Sequence, residues 1–125
     1  MPYKVKDSGK RKDFKSGMRR DTDENKPRFD LIIALNIPYE KTMLYRWGML
    51  MKNGMVKYGE RNWEKANSQE ELNRFKASAF RHFMQWFTRA DDEEDHAAAV
   101  MFNINAAETT KEVLKNAIHT TRKKK

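Results

Sequence analysis

The chain contains no cysteine, so disulfides, thiolate metal sites and cysteine nucleophiles are excluded, and nothing argues for an oxidising compartment. No apolar run approaches the roughly 20 residues that a membrane span needs, and the first residues lack the apolar stretch of a signal peptide. The expectation is a soluble, unprocessed, cytoplasmic protein with no membrane partner. Signature motifs are also missing: there is no glycine-rich P-loop, no GxGxxG, no HExxH and no G-x-S-x-G. Apolar residues fill only 38% of the 125 positions, against 35% charged, which leaves enough for one small core.

What remains is basic and aromatic. The formal net charge is +8, and much of it sits at the ends, in residues 1–20 and in the closing Arg122-Lys123-Lys124-Lys125. Such ends either stay solvated or neutralise nucleic-acid phosphates through salt-dependent counterion release. Three Trp, four Tyr, seven Phe and eight Met carry much of the apolar content. A helical fold or an oligomer makes the most of so little apolar surface.

Residues 1–25 read as a basic, largely flexible arm, 26–118 as an all-α domain of about three main helices, and 119–125 as a basic tail. "KPRFDLI", residues 26–32, marks the join, with Phe29, Leu31 and Ile32 as its apolar anchors. No strand-like alternation of useful length is visible. A first helix is expected in "NIPYEKTMLYRWGMLMKNG", with Pro38 in its first turn, Asn36 as cap, and Met43, Trp47, Leu50 and Met51 on one face. The second begins at Ser68, where "SQEE" forms a capping box with Glu71, and runs to about Arg89. Its broad apolar face, read as core, holds Leu72, Phe75, Ala79, Phe80, Phe83, Trp86 and Phe87. The third opens in "ADDEEDHAAAV", where acids in the first turns complement the helix dipole, and carries His96, Ala99, Val100, Asn103 and Ala107 on one face.

Three features have chemical potential. The acids before His96 form an oxygen-rich cluster, and Asp92 stands four residues from His96, a spacing that puts two metal ligands together; the bland alternative is dipole complementation. His82 edges the apolar face of the second helix, where a hydrogen-bonded core histidine is the bland reading. The short "RADD" connection allows it to face the seam of Asp95, His96 and Asn103. "KYGERNWEK", residues 57–65, is dense in groups that recognise nucleotides: Lys57 and Arg61 for phosphate, Asn62 for a base edge, Tyr58 or Trp63 for stacking. Its alternative is a connecting loop pinned by its aromatics.

"GMRRDTDENKPRFDLI", "KYGERNWEK", "SAFRHFMQW" and "EDHAAAVMFN", in this order, resemble the small phage and bacterial proteins classed as dATP/dGTP diphosphohydrolase, N-terminal domain. That family is regarded as similar to the all-α MazG-type nucleoside triphosphate pyrophosphohydrolases. The resemblance implies a small MazG-like helical bundle, completed as a homodimer or higher oligomer, in a cytoplasm that is the host's if the chain is phage-encoded. It implies Mg²⁺-dependent (or Mn²⁺-dependent) hydrolysis of purine deoxynucleoside triphosphates to monophosphate and pyrophosphate. With chemical roles assigned on that basis, Glu94, Asp95, His82 and His96 are the metal-holding and catalytic candidates. Lys26, Arg28 and Lys57 balance triphosphate charge, and Arg61, Asn62, Tyr58, Trp63 and Asn103 complete the nucleotide site.

The sequence departs from the MazG-type pattern in one respect. A double glutamate with a third three residues on, followed later by ExxD, is found neither in "SQEELNRF" nor after residues 91–95. Two other readings therefore accompany hydrolysis. One is a protein that binds and sequesters a nucleotide or nucleotide signal without cleaving it, and the other is an accessory protein that contacts nucleic acid through its basic ends.

Overall fold

The computed structural model describes residues 9–22 and 24–124, with side chains described as far as residue 117. Residues 1–8 of the expected arm, and the side chains of the expected basic tail, lie outside the described residues. The chain divides into two compact units, Met1–Ile32 and Ile33–Lys125.

The first unit contains a feature that the charged composition concealed. Strands β1 (Arg11–Asp13) and β2 (Arg19–Asp21) pair antiparallel, with Arg11 opposite Asp21 and Asp13 opposite Arg19. Each pairing is also an ionic contact, at 2.6 Å for Arg11–Asp21 and 2.8 Å for Arg19–Asp13. Opposite charges across the ladder thus stand in for the apolar alternation that normally announces a strand. The turn closes through Gly17, whose φ of 93° a side chain would strain. Arg28 forks onto Asp30 at 3.0 and 2.8 Å. Phe29, Leu31 and Ile32, expected as buried anchors, sit on a short 3-10 turn and are 72%, 70% and 65% exposed.

The second unit is an all-α bundle of three helices: α1 (Met43–Tyr58), α2 (Gln69–Phe87) and α3 (His96–Lys124). The start of α1 falls later than expected. Pro38 precedes a 3-10 turn, Tyr39–Lys41, and Thr42 is the actual cap, its hydroxyl accepting from the Tyr45 N–H at 3.4 Å. Proline's fixed φ and missing N–H fit a 3-10 start as well as an α-helical one, which is why Pro38 misplaced the boundary. Gly59, at φ 96°, ends α1, and Arg61, at φ 57°, turns the chain again into the 3-10 helix Asn62–Lys65.

Helix α2 begins where its cap required. Ser68 Oγ accepts from the Glu71 N–H at 3.2 Å and donates to Glu71 Oε1 at 2.7 Å, while the Asn67 N–H donates to the same carboxylate at 3.0 Å. Ser68→Ala is expected to cost about 1 kcal/mol, read as a lower midpoint in urea. The start of α3 is a correction: residues 91–95 precede the helix. Asp95 caps it, accepting from the Ala98 N–H at 3.1 Å, and Glu93 at φ 65° breaks the helical path just before.

Helices α2 and α3 run antiparallel, since His82 meets His96 while Phe75 meets Phe102. The contact stripe is narrow. On α2 it follows Leu72, Phe75, Ala79 and His82, and on α3 the buried His96, Ala99, Asn103, Ala106 and Thr110. Alanines let the backbones approach, and the buried polar members turn inward: Asn103 donates to the Ala99 carbonyl and Thr110 to the Ala106 carbonyl, both at 2.8 Å. The broad aromatic core expected on α2 is thereby corrected. Phe80, Phe83, Trp86 and Phe87 remain 67%, 43%, 52% and 67% exposed, because α3 covers only one edge of that face.

Candidate functional site

Three helices and the 57–63 loop enclose a cavity of about 640 Å³. The turn at Gly59 and Arg61 carries the "KYGERNW" side chains to its rim, so Lys57, Tyr58, Arg61, Asn62 and Trp63 all line it. His82, Glu94 and Asn103 line it too. Eight of the side chains singled out by sequence thus share one space. An aromatic wall holds its shape, with Phe102 edge-on to Trp63 at 6.1 Å and to Phe75 at 6.2 Å between centroids. Lys57 lies 5.1 Å from the Tyr58 ring centre, and Arg61 pairs with Glu64 at 2.5 Å.

At one edge of this cavity lies a histidine pair. Nδ1 of His82 and Nδ1 of His96 are 2.9 Å apart, both residues buried at 6% and 4% exposure. Nε2 of His96 lies 2.8 and 3.0 Å from the two Asp92 carboxylate oxygens. A carboxylate only accepts, so Nε2 of His96 carries a proton. One tautomer set then satisfies every contact. His82 Nδ1–H donates to the lone pair of His96 Nδ1, and His82 Nε2 accepts from Arg81 Nη2 at 3.3 Å. Glu94 stands 3.7 Å from that same Nε2. Burial, then the nearby Arg81 charge, pushes the His82 pKa down, which keeps the ring neutral at physiological pH. The bond to His96 holds the Asp92 carboxyl below its usual range.

Asp95 has a different task from the metal-holding one considered for it. Its two oxygens take the Arg46 guanidinium at 2.7 and 2.8 Å, clamping α1 to the start of α3 while it caps that helix. The Arg46 bond depresses the Asp95 pKa and raises that of Arg46. A carboxyl depressed in the folded state contributes stability above its unfolded pKa of about 3.9 and loses it as pH falls through the folded value. Asp95→Asn should therefore flatten part of the loss of urea stability below about pH 4. Lys26 and Arg28 belong to the first unit, Met1–Ile32, whereas the cavity is built within the second.

Arg46 was not foreseen: it lies 49 residues from its partner, and no local spacing signals the pair. The Asp92–His96 spacing was the available sign of the second carboxylate, although the contact comes from a loop before α3 and not from a helical face.

The donor set can be weighed against the expected ion. Among the described residues, His82, Glu94 and His96 form a group whose ligand atoms lie within 4.8 Å of one another. Two of those donors are imidazole nitrogens, and the Asp95 oxygens are engaged by Arg46. Mg²⁺ takes oxygen ligands in a strict octahedron, so this cluster does not fit it.

No helix among the described residues is long and apolar enough to cross a membrane. Comparison with curated proteins finds no match, and comparison with solved structures finds none either. A family model described as dATP/dGTP diphosphohydrolase, N-terminal, matches residues 16–117. That span covers most of the chain, including α1, α2, α3 as far as residue 117, the 57–63 segment and the histidine pair, so the chain belongs to the dATP/dGTP diphosphohydrolase N-terminal family.

Proposed function

We propose that this protein hydrolyses purine deoxynucleoside triphosphates to monophosphate and pyrophosphate, with the α1–α2–α3 cavity as the nucleotide site. The observation that carries the reading is the convergence of Lys57, Tyr58, Arg61, Asn62, Trp63, His82 and Glu94 on one cavity. Its volume of about 640 Å³ suits a ligand of nucleotide size. Tyr58 and Trp63 offer ring faces to a base, and Asn62 and Asn103 offer amides to its edge. Lys57 and Arg61 supply charge for phosphates. The family description supports dATP and dGTP as the substrates.

In the reaction, a water oxygen bonds to the α-phosphorus. The bond from that phosphorus to the α–β bridging oxygen breaks, and pyrophosphate leaves with the bonding pair. Glu94 or the neutral His82 takes the proton from water, and the Asp92–His96 pair holds the His82 ring in its tautomer. The exposed apolar face of α2 supports self-association, in which a second copy covers Phe80, Phe83, Trp86 and Phe87.

The test is to incubate the purified chain with each of the four deoxynucleoside triphosphates, with and without divalent ions, and resolve products by anion exchange. Monophosphate and pyrophosphate from dATP and dGTP are expected. The absent glutamate signature favours a second reading, capture without cleavage. Tight binding followed by recovery of the intact triphosphate would establish that reading and end the first.

A further inference from the structure

We infer that His82, Glu94 and His96 form a site for a zinc-type transition-metal dication, with Asp92 as the residue that positions His96. This site shares its residues with the proposed hydrolysis, and a dication held there would take over the activation of water from Glu94 and His82; its binding does not depend on turnover. Two imidazoles and one carboxylate, with one donor atom each inside a 4.8 Å span, are a nitrogen-rich set. Imidazole donors suit Zn²⁺ and the later first-row dications, whereas Mg²⁺ and Mn²⁺ favour oxygen ligands and are held weakly by such a set.

Two further observations point to a ligand. First, the Asp92 carboxylate fixes the proton of His96 on Nε2, 2.8 Å away, and so leaves the Nδ1 lone pair of a buried ring to accept from His82, a bond that a dication between the two rings would replace. A carboxylate that orients the far nitrogen of a histidine is the arrangement that sets the tautomer and raises the basicity of a metal-binding imidazole. Second, His82 and Glu94 line the cavity. Three protein donors beside open space match a catalytic metal site with a free position, whereas structural sites close with four. Arg81, exposed and 3.3 Å from His82 Nε2, is a cation at the edge of the cluster. It opposes a metal, so Arg81→Ala should tighten binding several-fold.

The experiment strips the full chain with chelator, then titrates it with Zn²⁺ and with Mg²⁺ by calorimetry in the absence of nucleotide. X-ray absorption on the zinc-loaded protein follows. About one zinc per chain is expected, bound at least about a thousandfold more tightly than Mg²⁺. The absorption fit should show two imidazoles at about 2.0–2.1 Å. Asp92→Asn should weaken zinc by about 10–100-fold, and His82→Ala with His96→Ala should abolish it. His119→Ala, which removes the third of the three histidines, should change nothing. Equal affinity for Mg²⁺, an absorption fit without imidazole, or zinc retained by the double variant would each overturn the inference. The wild-type absorption fit decides the matter even if the histidine variants fold poorly. Because no nucleotide is present, failure here is distinct from failure to hydrolyse one.

Discussion

His96→Ala is expected to lower dGTP turnover at least about a hundredfold, the scale on which a positioned proton-transfer group acts. Removal of the ring strips His82 of the acceptor that holds its tautomer, and strips Asp92 of its donor. Both effects reach the cavity, because His82 lines it. The variant also leaves the His82 N–H without its partner in a buried position, which costs about 1–3 kcal/mol. Helix content and the urea midpoint must therefore be measured beside kcat. Asp92→Asn provides the control, since it keeps the ring and removes only the charge that fixes its proton. A loss near tenfold there, with stability little changed, would separate orientation from folding. Undiminished turnover in His96→Ala would remove the histidine pair from the mechanism.

The second large effect concerns the core. Leu72→Ala is expected to destabilise the chain by about 2–5 kcal/mol, the range for a buried leucine. Among the described residues the buried apolar set is Ala66, Leu72, Ala98, Ala99, Ala106 and Ala107, so Leu72 is the one large side chain in it. Such a loss is a large share of the about 5–15 kcal/mol that a domain has. Phe80→Ala is the informative comparison, because Phe80 is 67% exposed in the single chain. A small effect that does not vary with protein concentration marks a solvated ring. A large effect that grows with concentration marks a ring covered by a second copy.

Local chemistry made some of the fold legible and left the rest hidden. Ser68 and Glu71 announced the start of α2 because a cap needs only residues three apart. Thr42 was passed over because Pro38 and Asn36 offered a rival start, and proline suits the first turn of either helix type. The periodicity of α2 correctly marked an apolar face, yet periodicity does not say how much of a face a neighbour covers. Alanines on α3 draw α2 close along Leu72, Phe75, Ala79 and His82, and the aromatics beyond that line stay outside. The hairpin at residues 11–21 was invisible to apolar patterning because its cross-strand contacts are ionic.

The candidate site divides in the same way. Lys57, Tyr58, Arg61, Asn62, Trp63, His82, Glu94 and Asn103 were picked out by residue type and by resemblance to the family, and they line one cavity. Arg46 could not be found, because its bond to Asp95 joins α1 to the start of α3. That same bond engages the Asp95 carboxylate, for which sequence could offer only proximity to other acids. The preference for nitrogen over oxygen donors in the cluster likewise emerges once the two histidines stand 2.9 Å apart.

Hydrolysis of dGTP in ¹⁸O-labelled water, with the products resolved by mass spectrometry, tests the central claim most directly. Attack on the α-phosphorus predicts one labelled oxygen in the deoxyguanosine monophosphate and none in the pyrophosphate. Label in orthophosphate or pyrophosphate, or dGTP recovered unchanged, would contradict it.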